Sequence, residues 1–139
     1  MSKRYPLLFN PKARSQRAQR ATSFIIEHAT HFALYATNSP DEARDLAAKF
    51  ASQGEPVVIA AGGDGTLNAV VQGLAGTETA LGVMPAGTMN VFARELGIPY
   101  GNLHQAFEVI QRGNLRLIDL FEVNGTPFLS LIHIFRAHE

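Results

Sequence analysis

Gly62-Gly63-Asp64-Gly65-Thr66-Leu67-Asn68 lies between the apolar run Pro56-Val57-Val58-Ile59-Ala60-Ala61 and a segment where Leu67, Val70, Val71 and Leu74 recur at i, i+3, i+4, i+7. The run reads as a buried strand and the spacing as one face of a helix. Three glycines at such a junction permit backbone approaches that a Cβ would forbid. The start of a helix offers N–H groups without intrahelical partners at the positive end of its dipole, so the ligand that suits this turn best is an anion, phosphate above all. Thr66 is expected as the N-cap. Asp64 puts a carboxylate beside the anion, which implies a bridging cation or a hydroxyl partner. The stretch is not a P-loop, because no Gly-Lys-Ser/Thr follows, and Asn68 stands where the dinucleotide fingerprint has its third glycine. A turn that serves only strand-to-helix packing is the competing reading.

A second stretch favours the phosphate. Ala80-Leu81-Gly82-Val83-Met84 reads as a strand and leads into Pro85-Ala86-Gly87-Thr88-Met89-Asn90; Met89, Phe92, Ala93 and Leu96 then repeat the helical spacing until Gly97 and Pro99 stop it. Gly65-Thr66-Leu67-Asn68 and Gly87-Thr88-Met89-Asn90 are thus two copies of Gly-Thr-apolar-Asn, each expected at a helix start after a strand. In a parallel sheet both turns open at the carboxyl edge, where ligands bind. Two helix N-termini then converge on one polyanion.

The elements that must position these turns follow from the rest of the chain. Tyr5–Phe9 is a strand closed by Asn10-Pro11; Asn10 either donates its amide to a ligand or forms an Asx turn. A helix spans about Ser15–His28, with Ala18, Ala21 and Ile25 on its face, and Phe32–Ala36 is a strand ending at Thr37. Ser39-Pro40-Asp41-Glu42 forms a capping box for a helix with Ala43, Leu46, Ala47 and Phe50 inward and Gly54 as its stop. Asn102 and Gln105 cap a short helix with the face Leu103, Ala106, Phe107, Ile110, ended by Gly113. This alternation of strands and helices specifies a three-layer α/β fold, a mostly parallel sheet with helices on both faces. From Leu115 the character changes: Leu115–Val123, Asn124-Gly125 and Thr126-Pro127-Phe128 read as the start of an antiparallel hairpin.

Composition narrows the class. A chain of 139 residues with 46% apolar and 17% charged side chains suits one folded domain. Twelve basic and twelve acidic residues cancel, so no global charge favours nucleic acid. Lys3, Arg4, Lys12, Arg14, Arg17 and Arg20 nevertheless all precede the first acid, Glu27, and form either a solvated helix face or a patch for phosphates or an anionic membrane. No cysteine is present, which suits the cytoplasm, and no apolar run reaches the ~20 residues of a membrane span. His28, His31 and His104 lack partners at ligand spacing and are expected at the surface or in caps.

Together these residues resemble the diacylglycerol kinase catalytic domain family, in particular its bacterial soluble lipid kinases. The likeness runs from Asn10-Pro11 through Gly62–Asn68 and Pro85-Ala86-Gly87-Thr88-Met89-Asn90-Val91-Phe92-Ala93-Arg94 to Leu96-Gly97-Ile98-Pro99 and Ile118-Asp119-Leu120. The Gly-Gly-Asp-Gly-Thr block alone also resembles NAD kinases and, more loosely, phosphofructokinases. The resemblance implies a nucleotide-binding domain over residues 1–128, with ATP and Mg²⁺ as cofactors, and a second, β-rich domain, absent here, that completes the site where a lipid hydroxyl receives the γ-phosphoryl group. It implies nucleotide contacts from Asn10, Thr37, Gly62, Gly63, Asp64, Gly65, Thr66, Leu67, Asn68, Gly87, Thr88 and Asn90.

Asp64 is the candidate catalytic group in this chain, as a base if the likeness to NAD kinases is mechanistic and as an organiser of the Mg²⁺–phosphate environment if the likeness to lipid kinases is. The family's general base is expected in the missing domain, no residue here is assigned as a metal ligand, and Asp119 is expected as a strand-end hydrogen-bonding residue. Departures from the family pattern are Ala13-Arg14 where a glycine is usual, Ala69 where many relatives have glutamate and Val91 where many have aspartate. The expected whole is a cytoplasmic enzyme, peripheral at the membrane that holds its lipid acceptor, and a homodimer at full length; an NAD-kinase-like enzyme and a non-enzymatic nucleotide-binding module are the alternatives. Residues 129–139 do not resemble the family; they look like translated adapter DNA and are expected to be a non-native tail.

Overall fold

The computed structural model describes residues 4–87, 90–113, 115, 121–123 and 126–128. The first half alternates as expected: β1 (Tyr5–Phe9), α1 (Gln16–Glu27), β2 (Phe32–Ala36), α2 (Pro40–Ser52), β3 (Val57–Gly62), α3 (Asp64–Leu74) and β4 (Ala80–Pro85). A five-residue α4 (Val91–Glu95), α5 (Leu103–Arg112) and the antiparallel pair β5 (Phe121–Val123) and β6 (Thr126–Phe128) follow. The four longer strands form a parallel sheet in the order β2-β1-β3-β4. The chain therefore leaves β1 in one direction to make β2 and returns on its other side to make β3. The carboxyl ends of β1 and β3 flank the point where the winding reverses, the usual crevice for ligands in such sheets.

Alternation along the strands divides the core into two layers. Leu7, Ile59, Ala61 and Met84 face Phe24 and Ile25 of α1 and Phe107 of α5. Their neighbours Leu8, Val58, Ala60 and Val83 face Ala43, Ala47 and Phe50 of α2, Leu67, Val70, Val71 and Leu74 of α3, and Ala93 of α4. Placing α1 on one face and α2 with α3 on the other is what right-handed crossovers require when the winding reverses. Burial of each large side chain contributes about 1.5–3 kcal/mol, so these layers hold the strand ends in place.

Helix ends follow local chemistry. Ser15 accepts from the Ala18 N–H at 3.1 Å, Ser39 from that of Glu42 at 3.1 Å and Asn102 from that of Gln105 at 3.2 Å. Gly113 ends α5 in the left-handed region at φ 69°. Two expectations shift. The helix of the second motif begins at Val91, because Asn90 sits at φ 50°, outside the helical region. The hairpin's first strand does not begin at Leu115, which is exposed coil; it is described from Phe121. Thr88, Met89, Asp119, Asn124-Gly125 and residues 129–139 lie outside the described residues.

The α2–α3 pair packs closely at Gly73, where an added Cβ would meet the Arg44 carbonyl oxygen, with Ala47 Cβ at 2.8 Å and Ala48 N at 2.9 Å. Backbone cannot rotate aside as a side chain can. Gly73→Val is expected to destabilise the fold by about 3 kcal/mol, read as a lower urea midpoint; an unchanged midpoint would mean that the helices do not meet there.

Candidate functional site

The first motif forms as a strand-to-helix corner. β3 ends at Gly62, Gly63 is the N-cap of α3, and Asp64, Gly65 and Thr66 are its first three helical residues. Thr66 is therefore not the cap; it stands one turn in, where its N–H is among the orphan donors of the helix start. The cap has no side chain, so α3 has no side-chain cap hydrogen bond, whereas α1, α2 and α5 all do. The helix on which the motif is built thus leaves its positive end open.

The second turn lies directly against the first. A Cβ on Gly87 would overlap Gly63 Cα, and one on Gly63 would come within 3.1 Å of Gly87 Cα. Two hydrogen bonds pin the turn at entry and exit: Ala86 N–H donates to Gly62 O at 2.9 Å, and Val91 N–H donates to Asp64 Oδ2 at 3.2 Å. Within it, Asn90 Oδ1 accepts from Gly87 N–H at 3.0 Å and Asn90 Nδ2 donates to Gly87 O at 2.7 Å.

A cavity of about 340 Å³ opens in front of both corners. Its floor is Phe9, Ala61, Gly62, Gly63, Ala86 and Gly87; Gly65 and Thr66 face it from α3, and the Asn10 turn closes one end. Its wall is α1, through Ser15, Ala18, Ala21, Thr22 and Ile25, with Arg14 beside them. The sequence marked α1 as a packing helix with basic residues that either stay solvated or meet anions; nothing in its spacing marks Ala18 or Thr22 as a wall, because that role comes from the reversal between β1 and β3. The turn donors and Arg14 suit an anion, and the alanines and Ile25 add an apolar side.

Of the predicted residues, Asn10, Gly62, Gly63, Gly65, Thr66 and Gly87 line this cavity. Others sit behind it. Leu67 is 4% exposed in the α2–α3 layer and its N–H donates to Gly63 O, so it has neither side chain nor amide to offer a nucleotide. Thr37 is 3% exposed and gives both its N–H and its hydroxyl to Phe9 O, at 2.9 and 3.3 Å, anchoring the end of β1. Asn90 is 2% exposed and braces its own turn. Asn68 is half-buried in α3 and Asp64 reaches the second turn, neither lining the cavity. Asn10 makes the Asx turn, its Oδ1 accepting from Lys12 N–H at 2.9 Å. His28 closes α1, bonding Phe24 O through Nδ1 at 2.8 Å; its ring lies 5.3 Å from that of His104, a neighbour hidden from the sequence because α1 and α5 meet only in the fold. Among the described residues no group of three or more metal-capable side chains occurs.

The sequence pattern of the diacylglycerol kinase catalytic domain matches residues 4–123. The chain belongs to this family. It is 37% identical to a diacylglycerol kinase of Bacillus subtilis, covering 93% of this chain and 45% of that protein. It is 33% identical to one of Staphylococcus saprophyticus, covering 94% of this chain and 45% of that protein. A solved diacylglycerol kinase structure from Bacillus anthracis superimposes with a TM-score of 0.76 at 30% identity, over 91% of this chain and 45% of that one. The α/β fold is therefore that of the family, and this chain spans less than half the length of the relatives it matches.

The contact between the corners has a direct test. Gly87→Ala is expected to destabilise the protein by about 2 kcal/mol, while Gly65→Ala, whose Cβ meets nothing within 4 Å, stays within about 1 kcal/mol of the parent in urea unfolding. Equal effects would mean that the corners do not touch.

Proposed function

We propose that this chain is the nucleotide-binding half of an ATP-dependent lipid kinase, which transfers a phosphoryl group from MgATP to the hydroxyl of diacylglycerol or a related lipid. The observation that carries the reading is the pairing of two glycine corners, backbone against backbone, at a helix start with no side-chain cap. Such a cradle supplies fixed N–H donors where phosphate charge must be held, and phosphoryl transfer depends chiefly on positioning and charge stabilisation. The cavity volume falls within the ~300–1,000 Å³ common for small-molecule sites.

Gly63, Gly65 and Thr66 would hold the phosphates, with Gly87, its own N–H taken by Asn90, forming the floor against Gly63 and Arg14 adding positive charge. ATP bound there would supply the γ-phosphoryl group, its charge spread by Mg²⁺. The alanines of α1 with Ile25 and Phe9 keep water off the inner wall. Lys12, Arg14, Arg17 and Arg20 are all exposed, which supports approach to an anionic membrane holding the lipid. No helix among the described residues is long and apolar enough to cross one.

Calorimetry tests the binding step. The chain is expected to bind MgATP and, without the remaining half of its relatives' length, to phosphorylate no diacylglycerol in vesicles. Gly65→Val is expected to abolish MgATP binding with the fold retained, since the site beside Gly65 is open and its side chain would enter the phosphate path. Unchanged affinity in that variant contradicts the site; phosphorylation of NAD but not of diacylglycerol by the full-length protein would replace the lipid acceptor with a dinucleotide.

A further inference from the structure

We infer that Asp64 is a positioning residue, a latch whose carboxylate holds the start of α4, and with it the second glycine turn, against α3. The use made of this latch in nucleotide binding rests on the function proposed above; the latch itself rests on geometry. Asp64 is the first residue of α3 and Val91 the first of α4, and the bond from Val91 N–H to Asp64 Oδ2 joins the two helix starts. At the first position of a helix an N–H has no intrahelical acceptor, so this donor needs a partner from elsewhere.

The second turn cannot keep its place by itself. Helix α4 has five residues, too few to be stable alone. Asn90 before it has φ 50°, a left-handed conformation that asparagine tolerates better than most residues but that still requires support. The Asn90–Gly87 bonds close the turn on itself without tying it to its neighbour. Entry is tied by strand-like pairing of Ala86 with Gly62; exit is tied at its first residue by Asp64 and two residues on by Ala93 in the core. Between the ties lies the Gly63–Gly87 contact, so close that the two corners can approach no further.

A carboxylate at this place also faces the positive ends of two helices, an arrangement favourable to its charge. On the function proposed, it acts on a ligand by holding the second turn against Gly63 rather than by touching the ligand. Asparagine keeps a side-chain oxygen at the same reach and can hold the latch; alanine cannot. A role in proton transfer or as a metal ligand needs the charge, which asparagine lacks. The two substitutions separate these roles.

The experiment follows exchange of the Val91 amide hydrogen by NMR in the 139-residue chain without ligand, and then MgATP affinity by calorimetry. Asp64→Ala is expected to speed Val91 exchange and weaken MgATP binding, each about tenfold, the size of one charge-assisted hydrogen bond. Asp64→Asn is expected to restore Val91 protection and most of the affinity. The latch is overturned if Val91 exchange is unchanged in Asp64→Ala, or if Asp64→Asn binds as weakly as Asp64→Ala while Val91 stays protected. A parent chain that binds no nucleotide would remove the proposed function, and Val91 exchange would still decide the latch.

Discussion

The structure depends on a place where two backbones touch. Gly63 and Gly87 approach so closely that a side chain on Gly87 would collide with Gly63 and one on Gly63 would crowd Gly87. They lie just beyond the ends of adjacent parallel strands, β3 and β4, whose registered pairing continues through Gly62 and Pro85 and on to the bond from Ala86 to Gly62. Parallel strands carry both chain ends to the same edge, and glycine lets the turns beyond them pack into one surface beside the start of α3. Any side chain there would separate the corners and shield the N–H groups.

Around that contact, support is divided between elements that close themselves and one that stays open. Helices α1, α2 and α5 satisfy their first turns with serine or asparagine side chains. Helix α3 has glycine at the same position and relies on the packing of Leu67, Val70, Val71 and Leu74 to stay in place. Glycine in place of a serine or asparagine cap costs only about a few tenths of a kcal/mol, and on the function proposed a bound phosphate would offset it. Thr37, Asn90 and Asp64 spend their polar atoms on backbone groups next to the cavity and so fix its shape.

Much of this was legible before any coordinates. The alternation of strands and helices, the Ser39 and Asn102 caps, the Gly113 stop and the convergence of two glycine corners all follow from local chemistry and from the rule that parallel strands share an edge. What the sequence could not show are facts of juxtaposition. Motif membership suggested that Leu67, Thr37 and Asn90 touch the ligand, but period-3.6 burial claims Leu67, and the hydrogen-bond needs of a strand end and of a turn claim the other two. Thr66 looked like a cap because threonine often is one; the strand runs straight into the helix through Gly63 and leaves Thr66 inside the first turn. The wall formed by α1 depends on the winding reversal between β1 and β3, which no local pattern encodes. The bond from Asp64 to Val91 spans 27 positions and was equally hidden.

The most direct measurement is an NMR titration of the amide-labelled chain with MgATP. If the paired corners form one phosphate cradle, the amide signals of Gly63, Gly65, Thr66 and Gly87 move together and fit a single dissociation constant. If Gly63, Gly65 and Thr66 respond while Gly87 stays still, or if none of them moves, the two corners do not act on one ligand and the account of this site is wrong.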